Sequence, residues 1–343
     1  MGLFPPENPA GRRILFDTKE RQGIFMRRNR KQKRRKPGVL VAAVILLAAG
    51  IKITSFAPAL PFSTDYEKIV HFGSRELSED KVNLNDLYSP YAVLMDAESG
   101  NVLAEKSGTA KMYPASLTKI MTAIIAIENT DDIDEETTVP SDIFPVLYEE
   151  DASLAGFAPG ETVRWKDLLY GALLPSGAEC CLTFAGQIAG SEGAFVDLMN
   201  KKAEELGMND THFSNATGLQ DKKHYSTVRD IAVLLRYALE NETFRQVFTA
   251  RRYSVPPTAY HSEGFTFYNT MFQAMDNAGI SDDDILGGKT GYTEKAGLCL
   301  ASLAEINDRE YILVTAKADG NHYTEPYHVI DAENVYGQIR KKV

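Results

Sequence analysis

The sequence has 343 residues, 44% of them hydrophobic, and a formal net charge of −10. That length and apolar content allow one large core or two ordinary ones and exclude a disordered or fibrous chain. The charge is uneven: residues 1–36 hold twelve Lys and Arg against Glu7, Asp17 and Glu20, leaving about −19 on the remainder, which argues against a nucleic-acid partner.

The basic tail, residues 1–36, ends in "RRNRKQKRRK", and an apolar run follows at once. The positive-inside rule then keeps the tail cytoplasmic and exports everything after about residue 58. The uninterrupted apolar part, Val39 to Ile51, falls short of the roughly 20 residues that cross a hydrocarbon core. Segment 37–57 is therefore either a retained transmembrane anchor, with Lys52 snorkelling to an interface, or a signal segment cut after Ala57-Pro58-Ala59. Pro58 inside that cleavage site and the long tail argue for the anchor, giving a single-pass protein with its bulk outside the cytoplasm; cleavage would make it secreted. Residues 58–86 lack periodicity and read as a stalk.

From residue 87 to 343 the pattern predicts one mixed α/β domain. "YAVLMDAESGNVLAEK" reads as two strands around a turn at Glu98-Ser99-Gly100-Asn101. A helix from about Ser116 carries Ile120, Ile124 and Ile127 at helical spacing, so one of its faces is expected to be buried. Further helices are predicted in "VRWKDLLYGALL", "AFVDLMNKKAEELG", ended by Gly207, and "TVRDIAVLLRYAL". After Arg252, "RRYSVP", "GFTFYNT", "GLCLASLAE" and "YILVTAKA" are β-type runs, and "HVIDAENVYGQIRKK" closes the chain as a helix. Strands at both ends with helices between them suggest an antiparallel sheet built from the two ends of the domain. No second domain is expected after the closing helix. Cys180, Cys181 and Cys299 are too few and wrongly spaced for a zinc cage and read as small core residues, with a bridge from Cys299 to one of the pair as the alternative.

Three short stretches can carry chemistry. In "PASLTKIMTA", Ser116 and Lys119 stand three apart on one helix face, so the amine can reach a hydroxyl that needs a base to become a nucleophile. A lysine in a desolvated, cationic pocket loses affinity for its proton and can serve as that base. The spacing alone is weak, since Ser78 and Lys81 repeat it in the stalk. In "LLPSGAECC" a Pro-Ser-Gly turn can project Ser176 into a cleft, or Ser176 caps the next helix. In "GGKTGYTEKAG", Lys289, Thr290 and Gly291 enter a strand and offer a cation, a hydroxyl and a Cβ-free surface for an extended ligand.

In this order, S-x-x-K, an S-x-N-type triplet and K-T-G are the set found in β-lactamases and penicillin-binding proteins. Residues 88–340 resemble the D-alanyl-D-alanine carboxypeptidases of the low-molecular-mass penicillin-binding group, also through "LMDAESGNVLAEK", "THFSNATGLQDKKHYSTVRDIAVLL" and "GGKTGYTEKAGLCLAS". The resemblance implies an α/β serine β-lactamase/DD-peptidase-like fold: a central antiparallel sheet, terminal helices on one side, a helical lobe on the other. It implies Ser116 as nucleophile, Lys119 as base and Ser176 as proton relay to the leaving D-alanine. It further implies that Lys289 biases the site electrostatically, that Thr290 binds the terminal carboxylate beside Gly291, and that the backbone N–H groups of Ser116 and Tyr292 form the oxyanion hole. The implied partners are peptidoglycan stem peptides, β-lactam inhibitors and the bacterial membrane, with no metal or cofactor.

Two departures stand out. The family usually has asparagine where this chain has Ala178, which leaves Glu179 or a neighbouring amide to substitute. Family members also carry a late arginine for the substrate carboxylate, whereas residues 318–339 contain no Lys or Arg and offer His328 as the nearest candidate. A β-lactamase and a catalytically weakened wall-peptide binder are the alternative readings. Asn215-Ala216-Thr217 also fits a glycosylation sequon, a weaker reading beside the bacterial-wall resemblance.

Overall fold

The computed structural model of the protein describes residues 82–281 and 283–341. The basic tail, segment 37–57 and the stalk up to residue 81, including Ser78 and Lys81, lie outside the described residues. Among the described residues no helix is long and apolar enough to cross a membrane. Positions 82–86, expected to end the stalk, belong to the domain instead: Leu84 is buried, and the Asn83 N–H donates to Gln338 Oε1 at 2.8 Å.

Strands β1 (Tyr91–Asp96) and β2 (Val102–Lys106) form the expected hairpin. Asp96 Oδ1 closes its turn by accepting from the Ser99 N–H and hydroxyl, both at 2.8 Å, while Gly100 takes the left-handed conformation that the turn requires. Two small hairpins, β3 (Glu136–Thr138) with β4 (Thr162–Arg164) and β5 (Arg252–Val255) with β6 (Phe265–Tyr268), stand outside the main sheet. The chain then supplies β7 (Ile285–Thr293), β8 (Gly297–Ile306) and β9 (Arg309–Ala318). The order β2-β1-β9-β8-β7 is antiparallel throughout and joins the two ends of the domain at the β1–β9 pairing, Val93 opposite Val314.

Both faces of the sheet are covered, so its central strands read as continuous apolar runs whose alternate residues serve two cores. Val93, Cys299, Ala301, Ile312 and Val314 face the helical lobe. The lobe contains α1 (Lys119–Glu128), α2 (Phe144–Glu149), α3 (Trp165–Leu173), α4 (Ala178–Ala189), α5 (Glu192–Glu205), α6 (Val228–Leu239) and α7 (Glu242–Phe248). Leu94, Leu300 and Leu313 face α8 (Thr270–Ala278) and α9 (Tyr327–Arg340), where Tyr336 is buried and its hydroxyl shares a 2.9 Å hydrogen bond with Ser302 Oγ. Helix caps follow the sequence: the Ser191 hydroxyl accepts from Ala194 N–H and that of Thr227 from Asp230 N–H, and Gly207 turns left-handed just past α5.

Helix α1 departs from the one-faced expectation. Every residue from Lys119 to Ala126 is buried, because α1 runs through the middle of the lobe against α3, α4, α5, α6 and α7. The three cysteines are free and buried. Cys181 Sγ turns to the Gly177 carbonyl at 3.5 Å and Cys299 Sγ to the Ala296 carbonyl at 3.6 Å, so the alternative of a bridge between them is not realised.

Candidate active site

The edge strand β7 lies against the turn that precedes α1. A short 3-10 turn, Ala115–Thr118, carries Ser116, so the helix proper begins at Lys119 rather than at the serine. Ala115 is left-handed at φ 47°, an arrangement that costs a non-glycine residue about 1–2 kcal/mol and recurs at functional sites. Two glycines let the chain close around it. A Cβ at Gly218 would overlap the Ala115 carbonyl, and a Cβ at Gly291 would stand 3.0 Å from Ser116 N. Gly291 thus seats β7 against the backbone of the serine turn.

Lys119 is 2% exposed and its Nζ has two partners, the Thr217 carbonyl at 2.6 Å and Ser116 Oγ at 3.0 Å. Burial lowers its proton affinity below the ordinary lysine value, opposed by the nearby Cys181, Glu179 and Cys180. In the neutral amine, one N–H stays on the Thr217 carbonyl and the lone pair is available to Ser116. The adjacent Thr118 is fixed by His224, whose Nδ1 accepts from the Ser214 N–H at 3.1 Å. Nε2 therefore carries the ring hydrogen and donates to Thr118 Oγ1 at 2.7 Å. Burial pushes His224 down to about 4, so this ring is neutral at pH 7.

Ser176 lies between α3 and α4, left-handed at φ 73°. Gly177, not Ser176, is the N-cap of α4, which removes the capping explanation for the serine. The Ser176 hydroxyl is buried without a protein partner. An orphaned buried hydroxyl on a strained residue is the kind of group that a ligand or a transferred proton satisfies. Ala178 is buried, and its N–H donates to the Ser153 carbonyl at 2.8 Å. Glu179 does not replace the missing asparagine amide. Its Oε1 accepts from Ala155 and Gly156 N–H at 2.7 and 2.9 Å, which ties the 153–157 loop over the Ser176 turn.

On β7, Lys289 is fully buried, with Nζ donating to the Thr290 carbonyl at 2.8 Å. Burial, and then the charge of Lys119, hold its proton affinity well below the usual lysine range. Thr290 shares a 2.7 Å hydroxyl bond with Thr270, the first residue of α8. The Tyr292 ring meets His322 edge-on, centroids 4.8 Å apart.

The structure thus joins Ser116 to Lys119, sets Gly291 against the serine turn and places Lys289 in the field of Lys119. His328 sits apart from these groups. It is buried in α9, pushed down to about 4 by burial, and its Nδ1 is buried without a protein partner; the residue lines a cavity of about 470 Å³ with His322 and Thr270. A neutral imidazole there is no substitute for an arginine. Sequence reasoning passed over Thr217, whose role is played by a backbone carbonyl, and Asn215, read only as a sequon. Asn215 Oδ1 accepts from Thr217 and Gly218 N–H at 3.2 and 2.7 Å, and its amide donates to the Leu219 carbonyl at 2.9 Å, so the side chain is spent on shaping the loop. The available signal was the Gly after Asn-Ala-Thr, a residue suited to the left-handed turn seen at Gly218.

Comparison with known proteins agrees with this geometry. The chain is 32% identical over 272 residues to D-alanyl-D-alanine carboxypeptidase DacF of Bacillus subtilis, covering 78% of this chain and 64% of that protein. It is 33% identical over 250 residues to DacC of Escherichia coli, covering 68% and 58%. It therefore spans about three-fifths of the length of these curated relatives. Among solved structures, the Streptomyces K15 DD-transpeptidase superposes with a TM-score of 0.67 at 25% identity, covering 74% of this chain and 97% of that one. Residues 78–320 match the sequence profile of the D-alanyl-D-alanine carboxypeptidase family, and the chain belongs to that family.

Proposed function

We propose that the protein is a serine D-alanyl-D-alanine carboxypeptidase that trims the terminal D-alanine from peptidoglycan stem peptides. The observation that carries this reading is the 3.0 Å contact between Ser116 Oγ and the buried Lys119 Nζ, whose proton affinity burial has lowered. The neutral amine takes the serine proton as Oγ attacks the carbonyl between the two D-alanines. Negative charge develops on the carbonyl oxygen, toward which the N–H groups of Ser116 and Tyr292 donate; a single such donor is worth about 3 kcal/mol of barrier. Ser176 passes the proton to the departing D-alanine amine, and Thr290 holds its carboxylate. Water then cleaves the ester on Ser116. Lys289, buried beside Thr290 on β7, offers an N–H donor to the anionic substrate. β-Lactams acylate the same serine, and segment 37–57 holds the domain at the outer face of a bacterial membrane.

Ala178 favours a second reading, a slow wall-peptide binder, because an alanine offers the substrate neither donor nor acceptor, and Glu179 has no amide to put in place of asparagine's, its Oε1 being held by Ala155 and Gly156 N–H. The test is release of D-alanine from a pentapeptide ending in D-Ala-D-Ala by the wild-type protein and by Ser116→Ala. Release by the wild type alone supports the carboxypeptidase. Fluorescent penicillin labelling without release supports the binder, and rapid penicillin hydrolysis supports a β-lactamase.

A further inference from the structure

A substrate that pairs with the edge of β7 antiparallel, its terminal carboxylate at Thr290, runs its amino side past Tyr292 toward Thr293 and the β7–β8 turn. At that end lies a cavity of about 290 Å³ lined by Lys111, Lys222, Lys295 and Lys317 together with Tyr91 and Tyr225. Tyr113, three residues before Ser116, also lines it, so one wall is the chain that leads into the serine turn. Two of the amines are placed by rings: Lys111 Nζ stands 4.0 Å from the Tyr225 ring centre and Lys317 Nζ 5.9 Å from that of Tyr91. Among the described residues none of the four lysines is paired with a carboxylate, and no acidic residue lines the cavity. Four uncompensated cations therefore converge on one concave surface in a part of the chain that carries about −19 overall. Such a concentration of one sign in a cleft focuses the field and recruits anions.

We infer that this cavity binds free carboxylates of the peptide stem two or three residues upstream of the scissile bond, at about 3.3 Å of extended chain per residue. The inference rests on reading the site as a DD-carboxypeptidase. It names a preference within that substrate class: acidic stems over amidated ones. Continuity with the substrate track favours stem carboxylates over a phosphate from another wall polymer.

The test separates the pocket from the chemistry. Two fluorescein-labelled pentapeptides ending in D-Ala-D-Ala are compared, one with free carboxylates on its second and third residues, the other with carboxamides there. Binding is measured by anisotropy in Ser116→Ala, with and without Lys222→Gln and Lys295→Gln, both exposed positions. The acidic peptide is expected to bind about tenfold tighter, with the advantage shrinking as salt screens it and falling to about twofold in the double lysine variant while carboxamide binding is unchanged. Equal binding of the two peptides, binding of neither, or an advantage that survives the lysine substitutions overturns the inference. So does displacement of both peptides alike by inorganic phosphate at constant ionic strength, which marks a general anion site. If the wild-type protein releases no D-alanine from either peptide, the carboxypeptidase reading fails while the binding ratio still decides the pocket.

Discussion

Gly218→Ala probes the support of the serine turn. At φ +84° an alanine costs about 1–2 kcal/mol in backbone strain. Its Cβ would overlap the carbonyl of Ala115 and stand 3.0 Å from Ser116 N. Those atoms are backbone, so no rotamer change relieves the overlap, and the serine turn or the 215–219 loop must shift; overpacking of this kind adds about 1–3 kcal/mol. The sum, about 2–5 kcal/mol, lowers the thermal midpoint by about 5–15 °C in a domain of this size. A displacement of about 1 Å at a reacting atom costs about 100-fold in rate. The assays are thermal unfolding and the rate of labelling by a fluorescent penicillin. Gly186→Ala is the control: it sits inside α4 with nothing within 4 Å of the added Cβ, so alanine there is neutral or stabilises by up to about 1 kcal/mol. Gly218→Ala that unfolds at the wild-type midpoint and acylates at the wild-type rate would show that the 215–219 loop does not support the serine turn.

Activity is expected to follow the neutral form of Lys119. Burial lowers its proton affinity, so acylation rises with pH and levels off below the ordinary lysine value of 10.5; Lys119→Arg, always protonated, loses about 1,000-fold, and a pH-independent acylation rate would contradict the assignment. Acid stability is expected to depend on His224 and His328, both neutral in the fold and pushed down to about 4 from 6.5. Their contribution is complete above pH 6.5, where neither folded nor unfolded imidazole is charged. It is lost as pH falls from 6.5 to 4, because the unfolded chain gains the protons first, to a limit of about 3 kcal/mol each. Urea unfolding at pH 7.5, 5.5 and 4.5 measures this, and equal stabilities at the three values would exclude it.

The parts of the fold legible in sequence were those with a period. The β1–β2 hairpin, the apolar runs of β8 and β9 and the closing helix α9 were all marked by patterning or turn residues. Helices α2 and α7 are six and seven residues long, too short for a clear helical repeat, and went unpredicted, as did α8. Helix α1 was seen but its burial underestimated, since an Ile-rich stripe does not reveal that Lys119 and Thr122 are buried by partners on the other faces. In the site, side-chain identity and spacing marked Ser116, Lys119, Ser176 and the Lys289-Thr290-Gly291 strand. Backbone contributions had no such mark. The Thr217 carbonyl on Lys119, the left-handed Ala115 and the hold of Glu179 on the 153–157 loop depend on segments far apart in sequence, and only folding brings them together. His328, the nearest candidate in sequence for the absent arginine, is turned inward by α9 and serves as a core histidine.

The proposed reaction stands on Ser116 as the nucleophile and on Lys119 as the base that activates it. Peptide mapping by mass spectrometry after brief exposure to benzylpenicillin, at pH values on either side of the Lys119 transition, tests it most directly. One covalent adduct per chain is expected, located on Ser116, forming faster at the higher pH and absent from Ser116→Ala. An adduct on any other residue, or undiminished labelling of Ser116→Ala, would contradict it.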